Sequence, residues 1–505
     1  MLAGAINTNV NALYALNALA NTANTTNTLE QELSSGLAIN SPADNPAGYI
    51  AAQGFTTQIG GVQQATSNVN QAISLVQTAD GGVTQQINIL QQIANIANQA
   101  ANGTANAQQL QSLQQVVSQL QTQVSTIAQQ TNFNGVNLLD GTYQGAQFQV
   151  GPSIGQTLSL SIGTTLANQI GVNASSTATA ASGVYTIDGS ASGGVGDSTG
   201  NSYAITTGGT GAYLGTGNVG VSGSAGNANF NVSAATESAQ GIAAAVNANT
   251  SKTNVSATAD TSVAFTVTSG SVSFVLGNGN DGAGNQTDKV NIAANVSSVS
   301  SSGLASLVNS INAQTAGTGV SAAVNASNQL VLTQAQGDNI SITGFAGTAT
   351  LAAGGSTTTT LAAGGTTSAT VQGVVTLQSN QGFDTAGTAI SNIGLNATSA
   401  LSSLASVNVS TAAGANAALN VANFALQQLE NIGSQLGAVQ QRLQATVSNL
   451  QTTDTNITAA RSVVQDANIP QVTTQLTQQE ILQQAGVSAL AQSSALQQAF
   501  LKLLQ

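Results

Sequence analysis

The sequence has no cysteine, no histidine and no tryptophan. Without cysteine there are no disulfides, no thiolate nucleophile and few ways to build a structural zinc site. Without histidine the commonest general base and the commonest transition-metal ligand are gone, and an HExxH metallopeptidase motif cannot be written. Charge is nearly as scarce. Only 4 % of residues are charged, against roughly 25 % in ordinary soluble proteins. The net charge of −12 is thinly spread, and no lysine or arginine precedes Lys252. A nucleic-acid binder needs a basic footprint, and attraction to an anionic membrane surface needs basic clusters; neither partner is expected. No apolar run approaches the ~20 residues that span a bilayer. The opening MLAGAINTNVNALYALNALANTANT has no basic region followed by a compact apolar one. It does not read as a cleaved secretory signal; if the protein is exported, it leaves by a route that cleaves no such peptide.

What is present is amide, hydroxyl and small apolar side chains in long periodic stretches. The 505 residues suit two to four domains. Residues 1 to about 170 are rich in Gln, Asn, Ala and Leu, and so are residues from about 401 onward. Between them lies a Gly-, Ser-, Thr- and Val-rich stretch with short alternating runs. Phe55, Val62, Val69, Val76, Val83, Leu90 and Ala97 recur every seventh residue, with Ala65, Ala72, Ala79 and Ile93 as companions. A second helix carries Leu110, Leu113, Val117, Leu120, Val124 and Ile127. Near the other end Leu429, Leu436, Leu443, Leu450 and Ile457 repeat the heptad, with Ala425, Ile432 and Val439 beside them. Such seams belong to helices that supercoil on partners. A seam of this kind cannot be buried by its own helix, and helical stability comes mainly from packing it. The fold class expected is therefore α+β: a long helical rod or coiled-coil bundle made by both chain ends, with β-rich middle domains inserted as one excursion.

Local signals refine this. Asn45 as cap with Pro46 in the first turn starts the longest helix better than a start at Ser41, which would put Pro46 inside it. Gly81 and Gly82 inside that helix cost about 1 kcal/mol each relative to alanine and read as a soft spot or kink. In residues 132–162, Asn134-Gly135 and Asp140-Gly141 signal turns. Phe148 and Val150, then Leu158 and Leu160, alternate as short strands. In the middle, GIAAAVNANTSKTNVSATA (241–259) parallels GLASLVNSINAQTAGTGVSAAV (303–324). Each copy reads as short helix, turn and strand, followed by β-type runs at Val263, Phe265 and Val267 or at Leu330 and Leu332. LAAGG occurs at 351 and again at 361.

The two termini are amphipathic but too short and weakly capped to be stable alone. Ile6, Val10, Leu13, Leu16, Leu19, Leu29, Leu33 and Leu37 lie on an Asn/Thr-rich background. At the other end Leu482, Ala489, Leu496 and Leu503 stand seven apart, with Ala485, Ala499 and Phe500 among them.

Here the sequence resembles a known family. AINTNVNALYALNAL, LSSGLAINSPADNPAGYIAA, ISLVQTADG, QQIANIANQAANGT and TNFNGVNLLDG are similar, in order, to the N-terminal region of bacterial flagellins. TAARSVVQDANI and QQEILQQAGVSALAQSSALQQAFLKLL are similar to their C-terminal region, and VNSINAQTAGTGVSA resembles a motif of their middle region. The resemblance implies a structural subunit of the flagellar filament, secreted through the flagellar type III apparatus and not an enzyme. It implies an N-terminal polymerisation helix (1–42) pairing with a C-terminal one (468–505). Residues 43–170 and 401–467 would form the helical rod, with a β-hairpin in the former, and 171–400 the variable outward-facing domains. Self-assembly would use Ile6, Val10, Leu13, Leu16, Leu33, Leu37, Leu482, Ala489, Leu496, Phe500 and Leu503. The rod seam would use Val62, Val69, Val76, Val83, Leu90, Leu429, Leu436, Leu443, Leu450 and Ile457. Partners would be further copies of the chain, the filament cap, the hook-junction proteins and a C-terminal-binding export chaperone; no cofactor or metal is implied. The alternatives are a hook–filament junction protein, which would lack the extended C-terminal match, and a secreted adhesin, which needs no seams at both ends. One departure matters. Where flagellins seen by the innate immune receptor resemble LQRIRELAVQ, this chain has LQQIANIANQ (90–99). Arginine contacts are poorly replaced by glutamine, so weak recognition is expected.

Other chemistry is thin. Asp188, Asp197, Glu237, Asp260 and Asp281 are scattered among turn residues. GGVGD (193–197) and GNGNDGAGNQTD (277–288) lack the acid spacing of calcium loops. The Ser/Thr-rich middle offers O-glycan acceptors or plain polar β-surface. Arg461 stands within reach in sequence of Asp466, with Asp44 as a second candidate partner. Carboxylates neutralise in acid whereas Gln, Asn, Leu and Ala do not titrate, so the composition suits a filament working at low pH.

Overall fold

A computed structural model describes residues 10–102, 104–176, 217–232, 238–278, 287–325, 327–353, 357–362, 369–371, 373–387, 395 and 397–504. Ile6, Asp188, Asp197, Glu237, Asp281 and GGVGD lie outside these residues, as does most of GNGNDGAGNQTD. The described helices are α1 (Val10–Ser35), α2 (Pro46–Ala101), α3 (Ala107–Gln130), α4 (Ala239–Asn247), α5 (Thr250–Thr253), α6 (Ala305–Asn312), α7 (Thr315–Thr318), α8 (Ala412–Gln465) and α9 (Ile469–Leu504). The chain is α+β, with long helices at both ends and strands in the middle.

Two compact units form, and they cut across the segment boundaries drawn from the sequence. One comprises Met1–Asp80, Tyr143–Ile162 and Ser434–Gln505; the other comprises Gly81–Thr142 and Gly163–Gly433.

In the first unit, Val62, Val69 and Val76 of α2 and Leu436, Leu443 and Leu450 of α8 are buried, as are Ala65, Ala72 and Ala79. Phe55, Val439 and Ile457 are only partly buried. α2 starts at Pro46, and the Asn45 side chain accepts the Gly48 N–H at 3.0 Å. Ser41 to Asp44 form the turn before it, with the Asp44 carboxylate accepting the N–H of Asn40 and of Ser41. Strands Ala146–Gln149 and Thr157–Leu160 pair antiparallel, Phe148 opposite Leu158. This hairpin lies on α2 where the Asn68 amide donates to Gln149 O at 3.2 Å. Val150 falls outside the strand, although its N–H still donates to Gln156 O at 2.8 Å.

In the second unit, Val83, Leu90, Ile93 and Ala97 of α2 are buried, as are Val117, Val124 and Ile127 of α3 and Ala425 and Leu429 of α8. Leu110, Leu113 and Leu120 are half-buried. Buried amides link the pieces. Gln86 Nε2 donates to Val124 O at 2.8 Å, and Gln121 Nε2 to Leu404 O at 2.7 Å. α3 opens on a reciprocal cap in which Asn106 and Gln109 each accept the other's backbone N–H, both at 2.9 Å. Asn134 and Gly135, with φ of 51° and 79°, turn the hairpin that pairs Phe133 with Val136; two consecutive positive φ values fit the Asn-Gly preference of such turns.

α2 continues through Gly81 and Gly82 as one helix, Pro46–Ala101. Gly82 permits close packing: a Cβ there would lie 2.7 Å from Leu139 Cδ1 and 2.7 Å from Thr131 Oγ1.

The repeat seen in sequence is a repeat in three dimensions. In the first copy α4, α5 and strand Ser256–Val267 follow one another; in the second α6, α7 and strand Val320–Val324 do so. Asn247 at the end of α4 donates to Ala257 O at 2.8 Å and accepts its N–H at 2.7 Å. Asn312 does the same to Ala322, at 2.9 and 2.7 Å. Ile242, Val246 and Val255 are buried in one copy and Leu307, Ile311 and Val320 at the matching places in the other. In the first copy the β-type run continues the repeat's own strand; in the second it is a separate strand, Leu330–Gln334. The two runs then pair, Leu330 with Phe265 and Leu332 with Val263. All strand pairings described are antiparallel. Asp260 lies on strand Ser256–Val267, opposite Val374.

Candidate self-assembly surfaces

Both terminal helices belong to the first unit, and their geometry follows from two chain breaks. α1 ends where Gly36 takes a φ of 72°, a left-handed conformation that glycine adopts without a Cβ penalty. α8 ends at Gln465, and α9 restarts with Pro470 in its first turn, where a missing N–H costs nothing. The two breaks are tied together: Ala38 N–H donates to Gln465 O at 2.7 Å and Ala467 N–H to Gly36 O at 2.9 Å. From this clamp α1 and α9 run side by side and antiparallel, and the Cβ position of Gly486 lies 3.5 Å from Leu19 Cδ1.

The face α1 turns to α9 is a heptad of mostly small residues: Ala12, Ala15, Leu19, Thr22, Thr26 and Leu29, each buried or half-buried. Across from it stand Val472, Leu476, Gln479, Gly486, Leu490 and Ser493. Of these twelve only Leu19 and Leu29 stood out in the sequence. A search weighted to large apolar residues passes over a seam in which Ala, Thr, Gly, Gln and Ser hold seven of the twelve places, although its seven-residue period is written in the chain.

The larger apolar residues lie elsewhere on the same helices. Val10 is 50 % exposed, Leu13 53 %, Leu16 54 %, Ile481 62 % and Leu482 47 %. Tyr14, Leu33, Val487 and Ala489 are exposed as well, while Leu37 is half-buried. Leu496, Phe500 and Leu503 fall within α9, and their side chains lie outside the described set. Each helix therefore has one face spent within the subunit and another open to water.

Charge contributes little here. Among the described residues no ion pair forms. Arg461 pairs with neither proposed acid; Asp466 accepts the Ser462 hydroxyl, and Asp44 accepts two backbone N–H groups. Those contacts, led by the Ser41 N–H, hold the Asp44 carboxyl below its ordinary value. Among the described residues no group of three potential metal ligands occurs, and no helix is long and apolar enough to cross a membrane.

Comparison with known proteins places this arrangement. The family model described as the bacterial flagellin N-terminal helical region matches residues 6–144, and that of the C-terminal helical region matches 419–504. The flagellin hook IN motif matches 285–336, which contains the whole second copy of the repeat, 303–324. The chain is 34 % identical to B-type flagellin of Pseudomonas aeruginosa over the full length of both. It is 29 % identical to Flagellin A of Helicobacter pylori, again over the full length of both. The solved structure of FliC from Burkholderia pseudomallei is matched over 73 % of this chain and 99 % of that one, at 20 % identity and a TM-score of 0.28. Two paired terminal helices, long heptad helices and an inserted β-rich middle define a filament-forming structural subunit. The chain belongs to the bacterial flagellin family and is a subunit of the flagellar filament, an extracellular assembly. Relatives named as flagellins and aligned over their full length support the filament subunit rather than the junction-protein alternative.

Proposed function

We propose that the outward faces of α1 and α9 are the surfaces through which copies of this chain polymerise. Val10, Leu13, Leu16 and Leu33 on α1 act with Leu482 and Ala489 on α9. Leu496, Phe500 and Leu503 lie on α9, Leu37 follows the end of α1, and Ile6, which lies outside the described residues, is assigned to the same surface by the family resemblance. The seams of α2 and α8, through Val62, Val69, Val76, Val83, Leu90, Leu429, Leu436, Leu443, Leu450 and Ile457, stiffen each subunit so that the polymer transmits motor torque. The chain reaches its site through the flagellar type III apparatus, escorted by a chaperone on its C-terminal segment, and it meets the filament cap and the hook-junction proteins there. It acts mechanically, with no catalytic step.

The observation that carries this reading is the exposure of five large apolar side chains at about half their area on two helices already paired. Covering the exposed half of one such side chain is worth about 1 kcal/mol. Several per subunit, repeated around a filament, suffice for cooperative assembly. Deletion of residues 468–505 tests it. The shortened chain should stay monomeric at concentrations where the full chain gives filaments in electron micrographs; filaments from the shortened chain would overturn the reading.

A further inference from the structure

We infer that the contact between subunits at α1 and α9 is built from neutral groups alone, so that polymerisation is nearly indifferent to acid and to salt. This rests on the polymerisation reading above and adds the chemistry of the interface. The occupant is a second copy of this chain. The open faces offer no run of charge that would recruit an acidic or basic partner, and they continue the apolar α1–α9 pairing already made within the subunit.

The titratable groups around these faces are few. α1 carries Glu30 and Glu32 with Tyr14, and α9 carries Glu480 and, near its end, Lys502. On α8 stand Arg442, Asp454 and Arg461, with Asp466 directly after it; on the part of α2 in this unit, Tyr49 and Asp80, preceded by Asp44. Asp44 and Asp466 accept hydrogen bonds from their own chain. Within the subunit Glu30, Glu32, Arg442, Asp454, Arg461 and Glu480 form no ion pair, so acid has no ionic contact within the subunit here to break. Positions where carboxylates commonly serve hold amides instead. Asn45 caps α2, and Asn106 with Gln109 caps α3 in a box that elsewhere ends in Glu. Amides accept and donate alike at any pH, whereas a carboxylate contact weakens when the acid protonates.

The test uses the purified full chain. Its critical concentration for filament formation is measured by sedimentation, with micrographs of the pellets. Conditions are roughly pH 3, 5 and 7, below and above the ordinary carboxyl range, each at roughly 10 mM and 300 mM NaCl. The expected spread across all conditions is within about threefold, less than one pKa unit of linkage would produce. Filaments at pH 7 and low salt whose critical concentration rises tenfold or more in acid or in salt would overturn this inference and leave the polymerisation reading standing. Absence of filaments under every condition would overturn that reading itself. Leu482→Glu supplies the contrast: a carboxyl placed in the face should raise the critical concentration at pH 7 at least tenfold relative to pH 3. Equal assembly of L482E at both pH values would show that this face is not covered by a second copy.

Discussion

Gly81 and Gly82 are neighbours in one helix, chemically identical, yet they should respond to alanine in opposite directions. Alanine gains about 1 kcal/mol over glycine inside a helix. At Gly81 a Cβ meets nothing within 4 Å, so Gly81→Ala should stabilise by about that amount. At Gly82 the new methyl would meet Leu139 and Thr131 at 2.7 Å. Neither gives way freely: Leu139 is fully buried, and the Thr131 hydroxyl donates to Ile127 O at 2.7 Å. Overpacking of this kind costs about 1–3 kcal/mol. It cancels the propensity gain at least and exceeds it at most, leaving the two variants about 1–3 kcal/mol apart. Urea unfolding of the full chain, followed by helical circular dichroism, compares them directly. A Gly82→Ala variant as stable as Gly81→Ala would refute the close-packing account of Gly82.

Three further outcomes follow from the same structure. Gln121→Leu should lower stability by about 0.5–1.5 kcal/mol in the same unfolding assay, because Leu404 O and Val407 O lose their shared donor and keep only the Val407 N–H and the Gln114 amide. Asp140, lowered by the Thr142 hydroxyl and N–H and by the Asn137 amide, should titrate below Asp338, which burial raises; carboxyl NMR shifts give the order. The signs differ: Asp140 contributes stability above its unfolded value and loses it as pH falls through the lower folded one, whereas the contribution of Asp338 is full below the unfolded value and lost as pH rises through the folded one. Finally, the exposed positions of segment 90–99 are Gln91, Gln92, Asn95, Asn98 and Gln99. None offers the charge-assisted contacts of arginine, so binding of the monomer to the innate immune receptor should be weak, and nanomolar affinity in a direct binding assay would contradict this.

How much the sequence discloses depends on the size of the side chains that carry the signal. The seams of α2 and α8 are legible because Val and Leu recur against Gln and Asn. Asn45-Pro46 and Asn134-Gly135 are legible because cap and turn chemistry is local. The pairing of the two ends is implied by the family resemblance, but the residues that make the α1–α9 contact are not legible, since seven of the twelve are small or polar and its partners lie more than 400 residues apart. The same distance hides the clamp at Gly36 and Ala467. Gly82 misleads for a related reason: propensity sees a flexible residue, and only the fold shows Leu139 and Thr131 across from it. The middle repeat is visible as text, but the pairing of Phe265 with Leu330 requires knowing that one copy's strand runs on where the other's stops.

Hydrogen exchange compared between monomer and filament bears most directly on the central claim. If copies pack through the open faces of α1 and α9, backbone amides of residues 10–35 and 469–504 should exchange readily in the monomer. In the filament they should become strongly protected, with α3 and the middle strands changing little. Equal protection of the terminal helices in both states, or new protection confined to the middle domains, would contradict the account.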